Sequence, residues 1–216
     1  MKAVQIAIVA IILLAFAVGI SVYPRMPEQM ASHWNAQGEV DGYMPRFWGV
    51  FFLPFMLVGL ALLLLLLPRI DPLRENIERF RAQYERFVVL ALGFFLYVYL
   101  FTLAANLGWE VQIMRVLAPG MALLFYSTGV LVEHAKRNYF IGIRTPWTLA
   151  SEEVWNRTHR VGGKWFKGAG LLALGGVVWP QWGVYFVLVP VLLAALYAMV
   201  YSYLEYQKVE AVQRKT

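Results

Sequence analysis

Blocks of about 20 apolar residues recur along this chain, and they limit the folds that it can adopt. A helix of that length crosses the roughly 30 Å hydrocarbon core of a bilayer. A chain inside lipid must pair its backbone hydrogen-bonding groups internally, so such blocks cross the bilayer as helices. Of the 216 residues, 60% are apolar and only 15% are charged, whereas a soluble domain has about a quarter charged residues. The sequence therefore predicts an all-α, polytopic membrane helical bundle.

Six blocks are interpreted as transmembrane helices, within one integral membrane domain that covers residues 1–216. They lie at about residues 3–22, 48–67, 87–107, 113–132, 165–179 and 184–203. The first block could also be a signal peptide, because Ala15-Phe16-Ala17 resembles a cleavage site. Its apolar run continues to Val22, which favours an uncleaved span.

Two of the connecting loops have a pattern of their own. Residues 23–47 are rich in proline and glycine, which predicts a compact, turn-rich loop. In residues 69–86, Leu73, Ile77, Phe80 and Tyr84 recur at helical spacing opposite charged residues. This pattern predicts a short amphipathic helix that lies on the membrane surface or leads into the third span.

Basic residues are concentrated on one side of the predicted bundle. Sixteen of the 19 lysines and arginines lie in the amino terminus, in the loops around residues 69–86 and 136–167, and in the tail. Because Lys and Arg are enriched in cytoplasmic loops, both termini are expected in the cytoplasm and the first loop outside. We expect a multi-pass protein of the plasma membrane. Its basic loops face anionic lipid, so direct binding of nucleic acid is not expected.

The longest polar stretch, residues 138–164, contains a second loop helix pattern. Ser151 is a suitable N-cap, and Gly162-Gly163 is expected to end the helix. Glu153 and Arg157 are spaced for an ion pair. A set of polar residues here could form a binding site at the cytoplasmic mouth: Arg144, Thr145, Glu152, Asn156, Arg157 and His159. The alternative is an interfacial helix held by Trp147, Trp155 and Trp165, with no ligand at all.

The same stretch resembles the signature of the SdpI-type immunity family. The matching residues are Asn138, the run Ile141–Leu149, Trp155, His159 and Gly162-Gly163. The first loop, Pro27–Tyr43 with HWNAQGEVDGY, is similar to an uncharacterised domain that commonly precedes this signature. On this resemblance, residues 1–47 and spans two to four correspond to the uncharacterised domain, and residues 133–203 carry the signature loop and the last two spans.

The resemblance implies a non-enzymatic immunity and receptor protein. The named member of the family protects its cell from a secreted peptide toxin that collapses the membrane potential, and it holds a soluble transcriptional repressor at the membrane. The implied partners are therefore the lipid bilayer, a secreted peptide toxin and a cytoplasmic repressor, with no cofactor. The signature adds Asn138, Trp147 and Trp155 to the cytoplasmic candidates. The external loop supplies His33, Trp34, Asn35, Glu39, Asp41 and Tyr43 as toxin-contact candidates.

Other functions have weaker support in the sequence. A small transporter or channel would need a water-filled path to Arg144 and His159. A membrane-embedded enzyme would need a second catalytic group beside His159. The absence of cysteine excludes thiolate chemistry and Cys-ligated metal. His33, Glu39 and Asp41 could supply metal ligands, but their spacing matches no known metal site, and we predict none.

Overall fold

The computed structural model describes residues 2–110 and 112–213, which form a mainly helical bundle. In chain order the helices and strands are α1 (Lys2–Val22), β1 (Gln29–Trp34), β2 (Val40–Pro45), α2 (Arg46–Ile70), α3 (Arg74–Glu78), α4 (Arg81–Asn106), α5 (Ile113–His134), α6 (Pro146–Ala150), α7 (Glu152–Ala173), α8 (Gly175–Val178) and α9 (Gly183–Gln213). Short 3₁₀ turns lie at Tyr23–Arg25 and Pro180–Trp182. The predicted all-α membrane fold is confirmed. Arg214 and Lys215, counted in the charge argument, lie outside the described residues.

Five of the described helices are long and apolar enough to cross a membrane. They cover Lys2–Arg25, Arg46–Ile70, Arg81–Asn106, Ile113–His134 and Pro180–Val212. The predicted span at residues 165–179 is not among them, because it continues the polar first half of α7 instead of forming a helix of its own. The prediction that Gly162-Gly163 ends this helix was wrong, since α7 runs through both residues to Ala173.

The glycines of α7 allow close packing instead of ending the helix. A methyl group at Gly163 would lie 2.7 Å from the carbonyl oxygen of Gly129 in α5. One at Gly170 would lie 2.6 Å from the carbonyl oxygen of Ala122, and one at Gly176 would lie 3.0 Å from the Ala118 side chain. The partners step back along α5 as the chain advances. Residues 163–176 therefore run antiparallel along most of a membrane-spanning helix, and this packing supports a sixth crossing.

The long helices pack as two groups. Helices α1, α2 and α4 contact one another, while α5, α7, α8 and α9 form the second group. Helices α4 and α5 join them, and the Tyr97 hydroxyl donates a 2.7 Å hydrogen bond to the Val116 carbonyl across this contact. The two groups thus meet along one seam.

The first loop contains strands that the sequence analysis did not predict. Strands β1 and β2 pair antiparallel, with Gln29 opposite Pro45 and Trp34 opposite Val40. A tight turn connects them, closed by a 3.0 Å hydrogen bond from the Gly38 amide to the Asn35 carbonyl, and Gly38 has a φ of +84°. The compact, turn-rich loop is thus a β-hairpin. It lies at the end of the bundle where α1 ends and α2 begins.

Residues 69–86 form no continuous surface helix. Helix α2 extends to Ile70, α3 is a single short turn, and α4 begins at Arg81. The predicted apolar face is nevertheless present, since Ile77, Phe80 and Tyr84 are buried. Helices α3 and α4, which meet near Phe80, bury these side chains without forming one continuous helix.

Exposed tryptophans mark the hairpin end of the bundle. Trp48 begins α2, Trp109 follows α4, and Trp179 and Trp182 precede α9, each about half exposed or more. Tryptophan is enriched at the membrane–water boundary because its ring is amphipathic. These residues place that boundary just below the hairpin.

Candidate functional site

We call residues 135–145, between α5 and α6, the signature loop. It is held together by Asn138, which is fully buried. Its amide nitrogen donates to the carbonyls of Lys136 and Ile141, at 2.8 and 2.9 Å. Its amide oxygen accepts from the backbone nitrogens of Phe140 and Ile141, at 2.9 and 2.6 Å. An Asn side chain has two donor hydrogens and two acceptor lone pairs, so its capacity is filled. Asn138 shapes the loop and has no polar atom left for a ligand.

A buried carboxylate from the other helix group also holds this loop. Asp71, 2% exposed, accepts from the Leu73 amide at 2.7 Å and from the Tyr139 amide at 2.9 Å. Asn76 donates to the Arg137 carbonyl at 2.8 Å. Neither residue was predicted, although one signal was present: Asp71 precedes Pro72, and Asp at such a turn commonly bonds the backbone two residues on.

His159 lies under the loop, stacked on Trp155. The ring centroids are 3.9 Å apart and the planes differ by 15°. The Nε2 atom of His159 accepts a 3.0 Å hydrogen bond from the Ile143 amide, so Nδ1 carries the proton and donates to the Trp155 carbonyl at 2.9 Å. Burial lowers the pKa of the imidazole to about 4. His159 is therefore neutral near pH 7, and both of its nitrogens are occupied.

Hydroxyl groups join the signature loop to α9. Thr145 caps α6 by accepting from the Thr148 amide at 3.2 Å, and its hydroxyl lies 3.0 Å from that of Ser202. All three residues are buried. Thr145 thus belongs to the packing between α6 and α9.

Arg157 bridges two carboxylates on the loop face. It pairs with Glu153 one turn earlier, as predicted, and donates to Glu205 of α9 at 2.9 Å. Glu205 is 4% exposed and also accepts from Lys208 at 2.7 Å. Glu205 lies beyond the predicted end of the last span at residue 203, but α9 continues to Gln213.

The remaining cytoplasmic candidates are more accessible. Arg144, Glu152 and Asn156 are exposed, and Arg144 donates to the Tyr139 carbonyl at 3.0 Å. Trp147 packs on Tyr203 with ring centroids 5.1 Å apart. The nine predicted residues therefore do not share one pocket. Asn138, Thr145, Trp155 and His159 form a buried scaffold, and the others lie towards the surface that it supports.

At the opposite end, the hairpin candidates pair with one another. His33 Nδ1 lies 2.5 Å from Asp41 Oδ1, and the Asn35 amide donates to Glu39 at 3.1 Å. Tyr43 is 64% exposed, and Trp34 is partly buried. The hairpin therefore presents an ordered polar surface.

Asn106, at the end of α4, fixes the hairpin to the bundle. Its side chain accepts from the Ala31 amide at 2.8 Å and donates to the Ala31 carbonyl at 3.0 Å. Beneath the hairpin lies a cavity of about 410 Å³ between α2, α4 and α5. We call it the outer cavity; its lining includes His33, Trp34, Trp48, Phe52, Thr102 and Ile113. Within the described residues, no group of three His, Asp or Glu side chains could hold a metal ion.

Comparison with known proteins gives matches at both ends of the chain. Residues 134–202 match the SdpI/YfhL protein family, and residues 10–58 match a domain of unknown function, DUF1648. The signature loop lies within the region that matches the SdpI/YfhL family. This region begins at the last residue of α5 and contains the Trp155–His159 stack, α7, α8 and most of α9. The resemblance stated from the sequence is confirmed, and the DUF1648 match includes the whole hairpin.

One curated relative matches over almost its whole length. It is the Immunity protein SdpI of Bacillus subtilis (strain 168), 26% identical over 201 residues, which are 93% of this chain and 94% of the relative. No solved structure matches the chain. The similarity thus includes the hairpin, the region that matches the SdpI/YfhL family and the helices between them.

Proposed function

We propose that this protein protects its cell against a secreted, membrane-active peptide toxin. The observation that carries the proposal is the similarity to an immunity protein over 93% of the chain, from the hairpin to α9. We place the protein in the plasma membrane with both termini in the cytoplasm, because most lysines and arginines lie at the end opposite the hairpin.

The hairpin and the outer cavity are the proposed toxin contact. Residues 26–45 contain the acids Glu28, Glu39 and Asp41 and no lysine or arginine. The cavity below them is lined mainly by apolar and aromatic side chains. An acidic surface above an apolar cavity suits a peptide with one cationic and one apolar face. His33, Trp34, Asn35 and Tyr43 lie where such a peptide would arrive.

The opposite end is the proposed signalling surface. Arg144, Glu152 and Asn156 are exposed beside Arg157, and Asn138, Trp155 and His159 hold the backbone beneath them. A rigid surface with exposed charges of both signs suits a polar soluble partner such as a transcriptional repressor.

The geometry gives little support to an enzyme or a transporter. His159 is 1% exposed and uses both ring nitrogens in hydrogen bonds, so it has no free nitrogen to act as a base. Trp155 covers one face of its ring, so the water-filled path to His159 that a transporter would need is not open at this side chain. We therefore assign no catalytic residue.

Protection is measured directly through the membrane potential. Sensitive cells carrying the protein or an empty vector are treated with the secreted peptide fraction of the source strain, and a potential-sensitive dye is followed. The proposal predicts that the potential persists only in cells with the protein. Equal collapse in both, with the protein present in the membrane, would contradict it. Solute flux through the protein in liposomes would support the transporter alternative.

A further inference from the structure

A second cavity lies at the seam between the two helix groups, at the end opposite the hairpin. It has a volume of about 250 Å³ and is lined by α2, α4, α5, α7 and the signature loop. We call it the inner cavity; its lining includes Leu64, Leu67, Phe87, Thr128, Ile141 and Phe166. All of these except Ile141 are partly exposed, so the cavity reaches the surface of the bundle.

The two side-chain hydroxyls that line the inner cavity have no free donor hydrogen. The Tyr84 hydroxyl donates to the Leu64 carbonyl at 2.5 Å, and the Thr128 hydroxyl donates to the Leu124 carbonyl at 2.8 Å. The other side chains are aliphatic or aromatic. A group that enters the cavity therefore gains apolar contact and no hydrogen bond from these hydroxyls, which favours a hydrocarbon chain.

The signature loop forms one wall of this cavity although its backbone is polar. The amide and carbonyl of Ile141 both bond to the Asn138 side chain, and the Ile143 amide bonds to His159. Gly142 takes a φ of +111° between them. Backbone groups that face hydrocarbon unpaired cost several kcal/mol each. Asn138 and His159 satisfy these groups, so the loop can present Phe140, Ile141 and Ile143 to an apolar ligand.

Two exposed arginines are sequence neighbours of residues that line the inner cavity. Arg86 precedes Phe87, and Arg144, which donates to the Tyr139 carbonyl at 3.0 Å, follows Ile143. They belong to the side that carries 14 of the 17 lysines and arginines among the described residues. A ligand with an apolar chain and an anionic head would match both features.

The geometry points to a binding site for an anionic phospholipid, with one acyl chain in the inner cavity and its headgroup phosphate near Arg86 and Arg144. On this assignment, the signature loop is built to hold a lipid at the seam between the helix groups. The inference is independent of the toxin and of the outer cavity.

Native mass spectrometry of the purified full-length protein tests this site. The protein is titrated with phosphatidylglycerol or phosphatidylcholine of identical acyl chains. We expect phosphatidylglycerol to be retained more tightly, by about fivefold for each arginine at the headgroup. Arg86→Gln with Arg144→Gln should remove this preference and leave phosphatidylcholine binding unchanged. Equal retention of both lipids by the wild type would overturn the assignment of the headgroup.

Filling the cavity tests the acyl-chain position. Thr128→Phe should reduce retention of both lipids roughly fivefold or more, because the acyl chain loses the burial of at least one or two CH₂ groups. Leu66→Phe is the matched control, because Leu66 is exposed on α2 and lies outside the cavity lining. Leu67→Trp narrows the cavity from another helix and replaces Thr128→Phe if that variant does not fold. Unchanged retention in a folded cavity variant would overturn the site.

A soluble headgroup separates a lipid site from a simple phosphate site. Glycerol phosphate added in excess should not displace bound phosphatidylglycerol, because it lacks the acyl chain. Displacement by glycerol phosphate or by inorganic phosphate would mean that the arginines bind phosphate without the cavity, and the proposal would be wrong.

Discussion

The indole of Trp155 lies 3.9 Å above the imidazole of His159 and donates through Nε1 to the Ala135 carbonyl at 2.8 Å. Both side chains are essentially buried. Trp155 thereby ties α7 to the end of α5, and His159 ties α7 to the signature loop. These two residues, one helical turn apart, connect α5, α7 and the signature loop within the region that matches the SdpI/YfhL family.

Removing the indole donor should destabilise the protein. Trp155→Phe leaves the Ala135 carbonyl buried without its partner, which costs about 1–3 kcal/mol of unfolding free energy. Trp109→Phe is the control, because Trp109 is 70% exposed and surface changes usually stay within about 0.5 kcal/mol. The unfolding free energy of each variant is measured in mixed micelles as the fraction of SDS is increased. Equal midpoints for the two variants would show that the bond to Ala135 contributes little.

His159 should make stability depend on pH. Its pKa is about 4 when folded, against an ordinary value of 6.5. Between these values the unfolded state binds a proton that the folded state does not, so the unfolding free energy falls as pH drops from 6.5 towards 4. The total loss is roughly 3 kcal/mol.

The measurement is the SDS unfolding midpoint at intervals from pH 8 to pH 4. His159→Gln has no group that titrates there, so its curve should be flatter than that of the wild type across this window. The same slope in both proteins would mean that other groups cause the pH dependence.

Two glycines of α7 should respond differently to alanine. Gly170→Ala places a methyl group 2.6 Å from the Ala122 carbonyl oxygen and 2.7 Å from the Tyr126 nitrogen, both backbone atoms of α5. Overpacking of this kind costs about 1–3 kcal/mol. Gly168→Ala has nothing within 4 Å and should be neutral or slightly stabilising. Equal effects on the unfolding midpoint would contradict the close packing of α7 on α5.

Asn106 should control the order of the hairpin. Asn106→Leu removes both hydrogen bonds to Ala31, and amide exchange in β1 should become roughly tenfold faster or more. Asn76→Leu, which loses its bond to the Arg137 carbonyl at the other end, should leave β1 unchanged and loosen residues 136–139. Hydrogen exchange with mass spectrometry separates the two ends. Unchanged exchange in β1 would mean that strand pairing alone orders the hairpin.

Much of this architecture could be predicted from the sequence, because the dominant signals are local. Apolar blocks of span length define most of the long helices, and the spacing of Glu153 and Arg157 predicts their ion pair. Long-range contacts were harder to predict. Gly162 and Gly163 usually signal a helix end, yet here they allow α7 to approach its neighbours, which only the packed structure reveals.

Only part of the candidate site could be predicted, because long-range contacts decide what each of its residues does. The signature marked Asn138, Trp155 and His159, but whether each serves as scaffold or contact depends on burial. Three polar residues at the ends of apolar spans form long-range bonds that the local sequence does not indicate: Asp71, Asn106 and Glu205. The hairpin was missed because its strands are six residues long and lack regular apolar alternation.

The most direct test of the account is whether filling the outer cavity removes protection. Thr102→Phe adds bulk inside that cavity, and Leu100→Phe adds the same ring two residues away on α4, outside the lining. Cells with equal amounts of each variant are treated with the secreted peptide fraction of the source strain while the membrane potential is followed. We expect cells with Leu100→Phe to keep their membrane potential as well as cells with the wild type. Cells with Thr102→Phe should lose it at a roughly tenfold lower peptide dose, equivalent to about 1.4 kcal/mol of binding free energy. Full protection by Thr102→Phe would contradict the account.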